Sequence, residues 1–250
     1  MENKIKVGIT GAGGNIGTTL VNGLRDKFDL KLFDLKRMDP GKSANPKQID
    51  FIRLDFAEPN QLKGVFAGLD AIIHLAGNPN PSAPRADTIR NNFVATSFVF
   101  EEARRAGIQK IVFASSNFYH QKDIASALRH EEKTLTTLNA CATPDCPYAE
   151  SKVFGENLGF HYANLGISFV ALRIGWSVPV DTPVPYDSAY MRAMFCSKRD
   201  LVQAFDKSLE SEEKFLTAFA ISDNFESVFD LTETKRKLGF YPQDNSADYY

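Results

Sequence analysis

Residues 4–17 read Lys4-Ile5-Lys6-Val7-Gly8-Ile9-Thr10-Gly11-Ala12-Gly13-Gly14-Asn15-Ile16-Gly17, an apolar run that leads directly into a glycine-rich turn. The run predicts a strand over Lys4–Thr10, and the following residues predict a helix over Asn15–Lys27. Glycines in such a turn let the backbone approach a pyrophosphate, and the helix N-terminus offers N–H donors to phosphates. The alternative is a tight turn without a ligand. The expected dinucleotide contacts are Gly11, Gly14, Asn15, Ile16 and Gly17.

Strand-like and helical patterns alternate along the first two thirds of the chain. Further strands are predicted over Asp29–Phe33, Ile49–Leu54, Ala71–Leu75, Lys110–Ser115 and Ser168–Ile174. Helices are predicted over Glu58–Ala67, Ala86–Ala106 and Tyr148–Leu165. Strands joined by helices of this length favour a parallel sheet covered on both faces, with a ligand crevice at the strands' carboxyl ends. We therefore predict an α/β fold, a Rossmann-type doubly wound parallel sheet.

The pattern becomes irregular from Trp176, where several prolines interrupt it. A helix near Arg199–Ser208, a strand near Phe215–Ile221 and a short helix near Glu233–Leu238 are still indicated. This tail is too short for an independent domain. We predict an NAD-binding Rossmann core over residues 1–175 and a small C-terminal substrate-binding lobe over residues 176–250, packed on the same core as a single domain.

Composition and charge narrow the possible partners. The 250 residues carry a net charge of -2, which gives no electrostatic reason to expect nucleic acid or an anionic membrane as a partner. No apolar stretch approaches a membrane span and no secretory segment is evident, so a cytoplasmic location is expected. Neither the histidines nor the cysteines (Cys141, Cys146 and Cys196) have metal-ligand spacing, so we expect no metal.

Acidic residues end the second and third predicted strands. Asp34 lies near the distance at which a carboxylate meets the adenosine ribose. A carboxylate there accepts hydrogen bonds from ribose hydroxyls and repels a 2′-phosphate, which favours NAD over NADP. Lys36 and Arg37 follow at once and would soften that preference, and a solvated Asp34 at a strand end is the alternative. Asp55-Phe56 is expected to contact the adenine.

A Tyr and a Lys four residues apart stand on one face of a predicted helix, in Tyr148-Ala149-Glu150-Ser151-Lys152. A free phenol has a pKa of about 10, and a nearby cation favours its ionised form. Tyr148 would then take the proton from a substrate hydroxyl, while Lys152 also reaches the nicotinamide ribose. Ser116, at the end of an upstream strand, would hold the reacting oxygen against Tyr148. We predict these three residues to be catalytic; the alternative for Tyr148 is a surface position.

Matching segments follow one another along nearly the whole chain: Thr10–Gly17, Asp55-Phe56, His74-Leu75-Ala76-Gly77, Asn91-Asn92, Phe113–Asn117, Tyr148–Lys152 and Leu172-Arg173-Ile174. In these segments the chain resembles an extended short-chain dehydrogenase/reductase of the NAD-dependent epimerase/dehydratase superfamily. The resemblance implies NAD as cofactor. It implies further cofactor contacts at Leu75, Ala76, Gly77, Asn92, Tyr148 and Lys152, and substrate contacts at Asn78, Ser116, Asn117, Phe118 and Trp176. His74 is expected to be a structural residue at a strand end.

Other segments resemble the compact sugar dehydrogenases of that superfamily, the uronate dehydrogenases and archaeal NAD-dependent glucose-6-phosphate dehydrogenases: residues 76–84, 114–117, 221–224 and 238–247. The resemblance implies oxidation of a ring-form sugar at C1 to its lactone. The tail after Ile174 is also short for binding a nucleotide-sugar. Two alternatives remain, a sugar epimerase or dehydratase that uses NAD transiently and a dinucleotide sensor without catalysis. The Ser116, Tyr148 and Lys152 set argues against the sensor.

Two features of this chain bear on the substrate and on assembly. Phe118 stands where the family usually has His, and Trp176 stands where uronate dehydrogenases carry a small polar residue. A substrate carboxylate or phosphate would need a cation. We take Arg192 as its contact, with Arg85, Lys198 and Arg199 as further candidates and a surface role as the alternative for each. Apolar residues including Phe98 and Val99 on two helices favour a homodimer that pairs those helices.

Overall fold

Seven strands lie side by side in the part of the chain that the structure describes. The structure is a computed structural model that describes residues 4–36, 50–129 and 135–250. The strands are all parallel, in the order β3-β2-β1-β4-β5-β6-β7. They are β1 (Lys6–Thr10), β2 (Asp29–Asp34), β3 (Asp50–Arg53), β4 (Ala71–His74), β5 (Lys110–Ser116), β6 (Ser168–Ile174) and β7 (Phe215–Ala220).

The strand order reverses direction once, between β1 and β4. From β1 the chain builds outward through β2 and β3, and it then returns to pair β4 on the other side of β1. At such a switch point the loops at the carboxyl ends diverge and leave a crevice for a ligand. The predicted α/β doubly wound sheet is confirmed, and Ile49 of the predicted third strand lies outside the described residues.

Helices cover both faces of the sheet because successive residues of each strand point to opposite sides. One core packs α1, α8 and α9 on one face, whereas a second core packs α4 and α6 on the other. Gly155 and Gly159 let α6 lie directly against the rings of Phe113 and Phe169. The α-helices are α1 (Asn15–Leu24), α2 (Pro59–Leu62), α3 (Arg85–Thr88), α4 (Ala95–Arg105), α5 (Gln121–Ala127), α6 (Pro147–Asn164), α7 (Ala189–Met194), α8 (Lys198–Glu210) and α9 (Thr232–Leu238).

Two predicted helices differ from the observed ones. The helix expected over Glu58–Ala67 ends after one turn, because Gly64 adopts a left-handed φ of 74° and the backbone continues as turns. The helix expected over Ala86–Ala106 contains a π-helical segment, Ile89–Val94, between α3 and α4. Such segments are frequent at functional sites, and this one carries Asn91 and Asn92.

The residues after 175 contribute to two parts of the molecule. Strand β7 pairs with β6 throughout, and α8 packs against α1, so these elements complete the sheet and one of its helical layers. Other residues of this segment, among them Met194 and Phe229, pack with Ile124 of α5 in a smaller apolar core beside the carboxyl end of β7. The predicted division between residues 175 and 176 therefore does not coincide with a break in the sheet. No helix among the described residues is long and apolar enough to cross a membrane.

Candidate active site

A crevice of about 1160 Å³ opens at the carboxyl ends of the strands, and it extends from the glycine turn to Tyr148. Most of the predicted site residues meet there although they lie far apart in sequence. Two of them, Asn92 and Arg192, do not line it. The predicted residues that do are Gly11, Gly14, Asn15, Ile16, Gly17, Asp34, Asp55, Phe56, Leu75, Ala76, Gly77, Asn78, Ser116, Asn117, Phe118, Tyr148, Lys152 and Trp176.

The glycine turn contains glycines of two kinds. Gly11 has a φ of 71°, and a Cβ on Gly17 would lie 2.5 Å from the carbonyl oxygen of Gly11, so the fold itself requires both. Gly14 has an ordinary φ of -75°, and a Cβ there would meet only the Gly11 oxygen, at 3.4 Å. Neither backbone nor packing explains Gly14. Its open side faces the crevice at the N-terminus of α1, where a pyrophosphate would fit.

The Asp34 carboxylate is tied to this turn. Its Oδ2 accepts a hydrogen bond from the Gly13 N–H at 2.9 Å, and its Oδ1 accepts one from the Lys36 N–H at 3.0 Å. Arg37 lies outside the described residues. The neighbouring Asp55 forms an ion pair with Arg90 at 2.8 Å, which leaves one end of the crevice bordered by oriented carboxylates.

His74 supports the wall of the crevice from inside the core. It is fully buried, and its ring nitrogens lie 2.8 Å from Thr10 Oγ1 and 3.1 Å from Thr96 Oγ1. Burial, together with the charge of Lys152, lowers its pKa to about 3, so His74 stays neutral. The Thr10 hydroxyl also accepts hydrogen bonds from the N–H groups of residues 75 and 76. The expectation that His74 is a structural residue is confirmed.

Asn92 acts behind the crevice wall. Its Oδ1 accepts a hydrogen bond from the Asn78 N–H at 2.7 Å, and its Nδ2 donates to the Asn78 carbonyl and to Ser151 Oγ. The side chain is therefore fully engaged in joining the loop after β4 to helix α6. Asn91, one residue earlier on the π-helical segment, lines the crevice instead. The prediction of Asn92 as a direct cofactor contact is not supported by this geometry.

Tyr148 and Ser116 come together where α6 begins and β5 ends. Ser116 lies close enough to the Tyr148 phenol to affect its pKa, and the Ser116 Oγ donates to Asn117 Oδ1 at 3.1 Å and accepts from the Phe118 N–H at 3.2 Å. The Phe118 ring meets the Tyr148 ring edge-on, with centroids 5.5 Å apart. Burial raises the pKa of Tyr148, and the Ser116 hydrogen bond opposes that rise only in part.

Lys152 is buried against the same strand. Its Nζ donates to the Ala114 carbonyl at 2.8 Å and lies 5.3 Å from the centroid of the Tyr148 ring. Burial lowers the pKa of Lys152 to about 8. Burial of the phenol has the larger effect on the pKa of Tyr148 here, so the lowering expected from Lys152 together with the positive nicotinamide stays a prediction. The tyrosine and lysine are adjacent, as predicted.

The C-terminal segment closes the crevice near Tyr148, with Trp176 and with a residue that the sequence did not indicate, Tyr190. Asn117 Nδ2 donates to the Tyr190 hydroxyl at 2.6 Å, and the Trp176 and Tyr190 rings lie 5.7 Å apart. Nothing in the local sequence points to Tyr190, because only the path of the chain after β6 brings it there. Arg192, two residues later, instead pairs with Asp187 at 2.7 Å, so its prediction as a substrate contact is not supported.

A buried polar network lies beneath the catalytic residues. Arg173 on β6 pairs with Glu156 on α6 at 2.8 Å, and Glu156 also accepts from Ser115 Oγ at 2.6 Å. Arg173 further donates to His120 Nε2 at 2.8 Å, so His120 serves this network and does not line the crevice. The network joins β5, β6 and α6. The sequence signal that could have revealed it is an arginine inside an apolar strand.

The comparisons with known proteins agree with this geometry. The model of the NAD dependent epimerase/dehydratase family matches residues 7–176. The L-arabinose 1-dehydrogenase (NAD(P)(+)) of Haloferax volcanii is 34% identical, over 97% of this chain and 98% of the relative. An NAD-dependent glucose-6-phosphate dehydrogenase from the same organism is 31% identical, over 96% of this chain and 94% of the relative. A mutant uronate dehydrogenase from Agrobacterium tumefaciens, complexed with NAD, superposes with a TM-score of 0.82 at 25% identity, covering 98% of this chain and 87% of that chain.

Proposed function

The chain belongs to the NAD dependent epimerase/dehydratase family, as its resemblance predicted, and we propose that within that family it is an NAD-dependent sugar dehydrogenase. The proposed reaction oxidises the C1 hydroxyl of a ring-form sugar or sugar acid to its lactone. One observation carries the proposal: Tyr148 and Ser116 line the same crevice as the glycine turn at the start of α1. A proton acceptor and a dinucleotide site therefore share one space.

The residues present fit NAD along the whole crevice. Gly14 leaves an opening at the N-terminus of α1 for the pyrophosphate, and Asp34 would accept hydrogen bonds from the adenosine ribose. Leu75, Ala76 and Gly77 border the middle of the crevice. Lys152 lies at its far end, where it would bind the nicotinamide ribose. When bound, NAD supplies the acceptor for the hydride that leaves C1 and the positive charge of its nicotinamide.

The proton is handled by residues of this chain. Ser116 Oγ would hydrogen-bond the C1 oxygen, and Tyr148 Oη would accept the hydroxyl proton while the C1–O bond gains double-bond character. Burial raises the pKa of the Tyr148 phenol, which favours its protonated form at neutral pH. A positive charge brought beside the ring would favour the phenolate, and Lys152 is positioned 5.3 Å from the ring centroid to add its own.

Formation of NADH on mixing the protein with NAD and single sugars is the experiment that tests the reaction. We expect sustained NADH accumulation with at least one aldose or uronate. A sugar epimerase or dehydratase would bind NAD and convert its substrate without net NADH release. If NAD binds and no sugar yields NADH, the dehydrogenase proposal fails. An epimerase or dehydratase that uses NAD transiently then becomes the better explanation.

Replacing Asp34 with asparagine should weaken NAD binding and reduce the preference for NAD over NADP. The change keeps a hydrogen-bond acceptor for the Gly13 N–H but removes the charge that would bind ribose hydroxyls. Loss of one charged hydrogen bond predicts an increase in the Kd of NAD of about 10-fold. Asp29→Asn, at the other end of β2, is the matched control. If both variants bind NAD and NADP with the affinities of the parent protein, Asp34 does not select the cofactor.

Assembly and location stay predictions. Ile89 is exposed, and the rings of Phe93 and Phe154 pack together at 5.0 Å while remaining only half-buried. This apolar surface, where the π-helical segment before α4 meets α6, supports a homodimer that pairs α4 and α6 with those of a second copy across a two-fold axis. Val99, expected to contribute to that surface, is fully buried against the sheet and does not. A cytoplasmic location remains the expectation from composition.

A further inference from the structure

The two ends of the crevice differ in chemistry. The end near the glycine turn carries charged groups, among them Asp34, Lys36 and Asp55. The end around Tyr148 is bordered by neutral polar groups and aromatic rings. Apart from the catalytic pair, the side chains there are Asn78, Ser116, Asn117, Phe118, Trp176, Ser177 and Tyr190.

Aromatic rings make up much of the lining of this substrate end. Phe118 lies edge-on to Tyr148. Trp176 is 39% exposed, and its ring lies 5.7 Å from that of Tyr190. A pyranose has apolar C–H faces between its hydroxyls, and flat rings bury such faces without any demand for charge.

The polar groups near these rings can form hydrogen bonds with the hydroxyls of a sugar. The Tyr190 oxygen already accepts from Asn117 Nδ2, so its own proton is available to a substrate oxygen. Ser177 Oγ is buried at the crevice wall and has no hydrogen-bond partner among the described residues. Burial raises the pKa of Tyr190, so this phenol remains a neutral donor. A hydroxyl can both donate to and accept from such groups.

The charged groups around the substrate end do not favour the binding of an anionic substrate. Among the described residues that line the crevice, the cations are Lys36 and Lys152, and Lys152 donates to the Ala114 carbonyl. The other cations that the sequence offered are held outside it by carboxylates or a carbonyl. These pairs are Arg85 with Glu150, Arg192 with Asp187, Arg199 with Asp244, and Lys198 with the Pro179 carbonyl.

A carboxylate or phosphate buried between aromatic rings without a cation would lose its hydration and gain no ion pair in return. From this juxtaposition of aromatic rings and neutral donors, with no cation of the described residues at this end free to pair with an anion, we propose that the substrate is an uncharged, unphosphorylated aldose. The proposal rests on the proposed function and narrows it. The similar proteins differ in the charge of the substrate that their names specify: a neutral sugar, a sugar phosphate and uronates.

Two series of sugars that differ at one position test the proposal. L-arabinose, D-galactose and D-galacturonate share ring configuration and differ only at the substituent on C5. D-xylose, D-glucose, D-glucuronate and D-glucose-6-phosphate form the second series. In the series that the enzyme prefers, we expect the kcat/KM for NADH formation to be at least about 100-fold higher for a neutral member than for any charged one. A charged member with the highest kcat/KM overturns the proposal but leaves the dehydrogenase function standing.

Two variants test which residues select between neutral and charged sugars. Trp176→Leu should raise the KM of the best neutral sugar about 10-fold while the Kd of NAD changes little, because the lost contact is with the sugar ring. Arg192→Gln should change kcat/KM for neutral and charged sugars by the same factor. A selective loss of turnover with the charged sugars in Arg192→Gln would mean that this arginine reaches the substrate, and the proposal would be wrong.

Discussion

Tyr148→Phe should lower kcat by about 100- to 10,000-fold, the range that a positioned proton acceptor contributes. The substitution removes only the hydroxyl and keeps the ring that meets Phe118 edge-on. The crevice wall and the glycine turn stay as they are, so the Kd of NAD should remain close to that of the parent protein. NADH formation and NAD titration measure the two effects separately.

Tyr162→Phe is the matched control for this substitution. Tyr162 lies on the same helix, but its hydroxyl donates to Glu101 on α4 and does not reach the crevice. This variant should turn over at nearly the parent rate. If Tyr148→Phe also retains most of its turnover, another group accepts the proton and the mechanism proposed for Tyr148 is wrong.

Glu156→Gln should lower the free energy of unfolding by about 3 kcal/mol, the lower part of the range for removing one partner of a buried ion pair. The substitution nearly keeps the shape of the side chain but leaves the Arg173 guanidinium, which is 3% exposed, without a counter-charge. Glu156 also accepts from Ser115 Oγ, so the contact between α6 and β5 weakens at the same time. Urea unfolding with a common m-value would report the difference.

Two further variants show whether the buried charge is the cause. Glu233→Gln breaks an ion pair with Arg236 that is exposed to solvent, and it should leave the urea midpoint close to that of the parent. Glu156→Leu combined with Arg173→Met removes both charges together and should recover part of the stability that Glu156→Gln loses. If Glu156→Gln is as mild as Glu233→Gln, the buried pair does not stabilise the fold as the geometry indicates.

The ion pair and the catalytic residues belong to one piece of structure. Tyr148, Lys152 and Glu156 follow one another at four-residue intervals on α6, so all three face the sheet. Glu156 holds this helix to β6 through Arg173 and to β5 through Ser115, next to Ser116. A rigid junction of this kind keeps the proton acceptor and the serine in register, which a site that depends on positioning requires.

Much of the fold could be predicted because its signals are local. Apolar runs and glycine stops placed all seven strands near their observed bounds, with Ile49 outside the described residues. The strand predicted over Ser168–Ile174 begins and ends at the same residues as the observed β6. Errors occurred where a left-handed glycine ends a helix early and where tertiary contacts override local preference. Examples are the helix that ends before Gly64, and the π-helical segment whose Asn92 side chain is bonded to Asn78 and Ser151.

The sequence by itself determined the cofactor end of the site and the reacting groups. A strand, a glycine turn and a helix that follow one another fix the position of a pyrophosphate, and a Tyr and Lys four apart on a helix necessarily share a face. The tertiary structure alone decided what surrounds the substrate. It brought Tyr190 and Trp176 to the crevice, paired Arg192 with Asp187 outside it, and buried Tyr148 deeply enough to raise its pKa. Burial and charge pairing depend on which distant segments meet, and no local pattern records that.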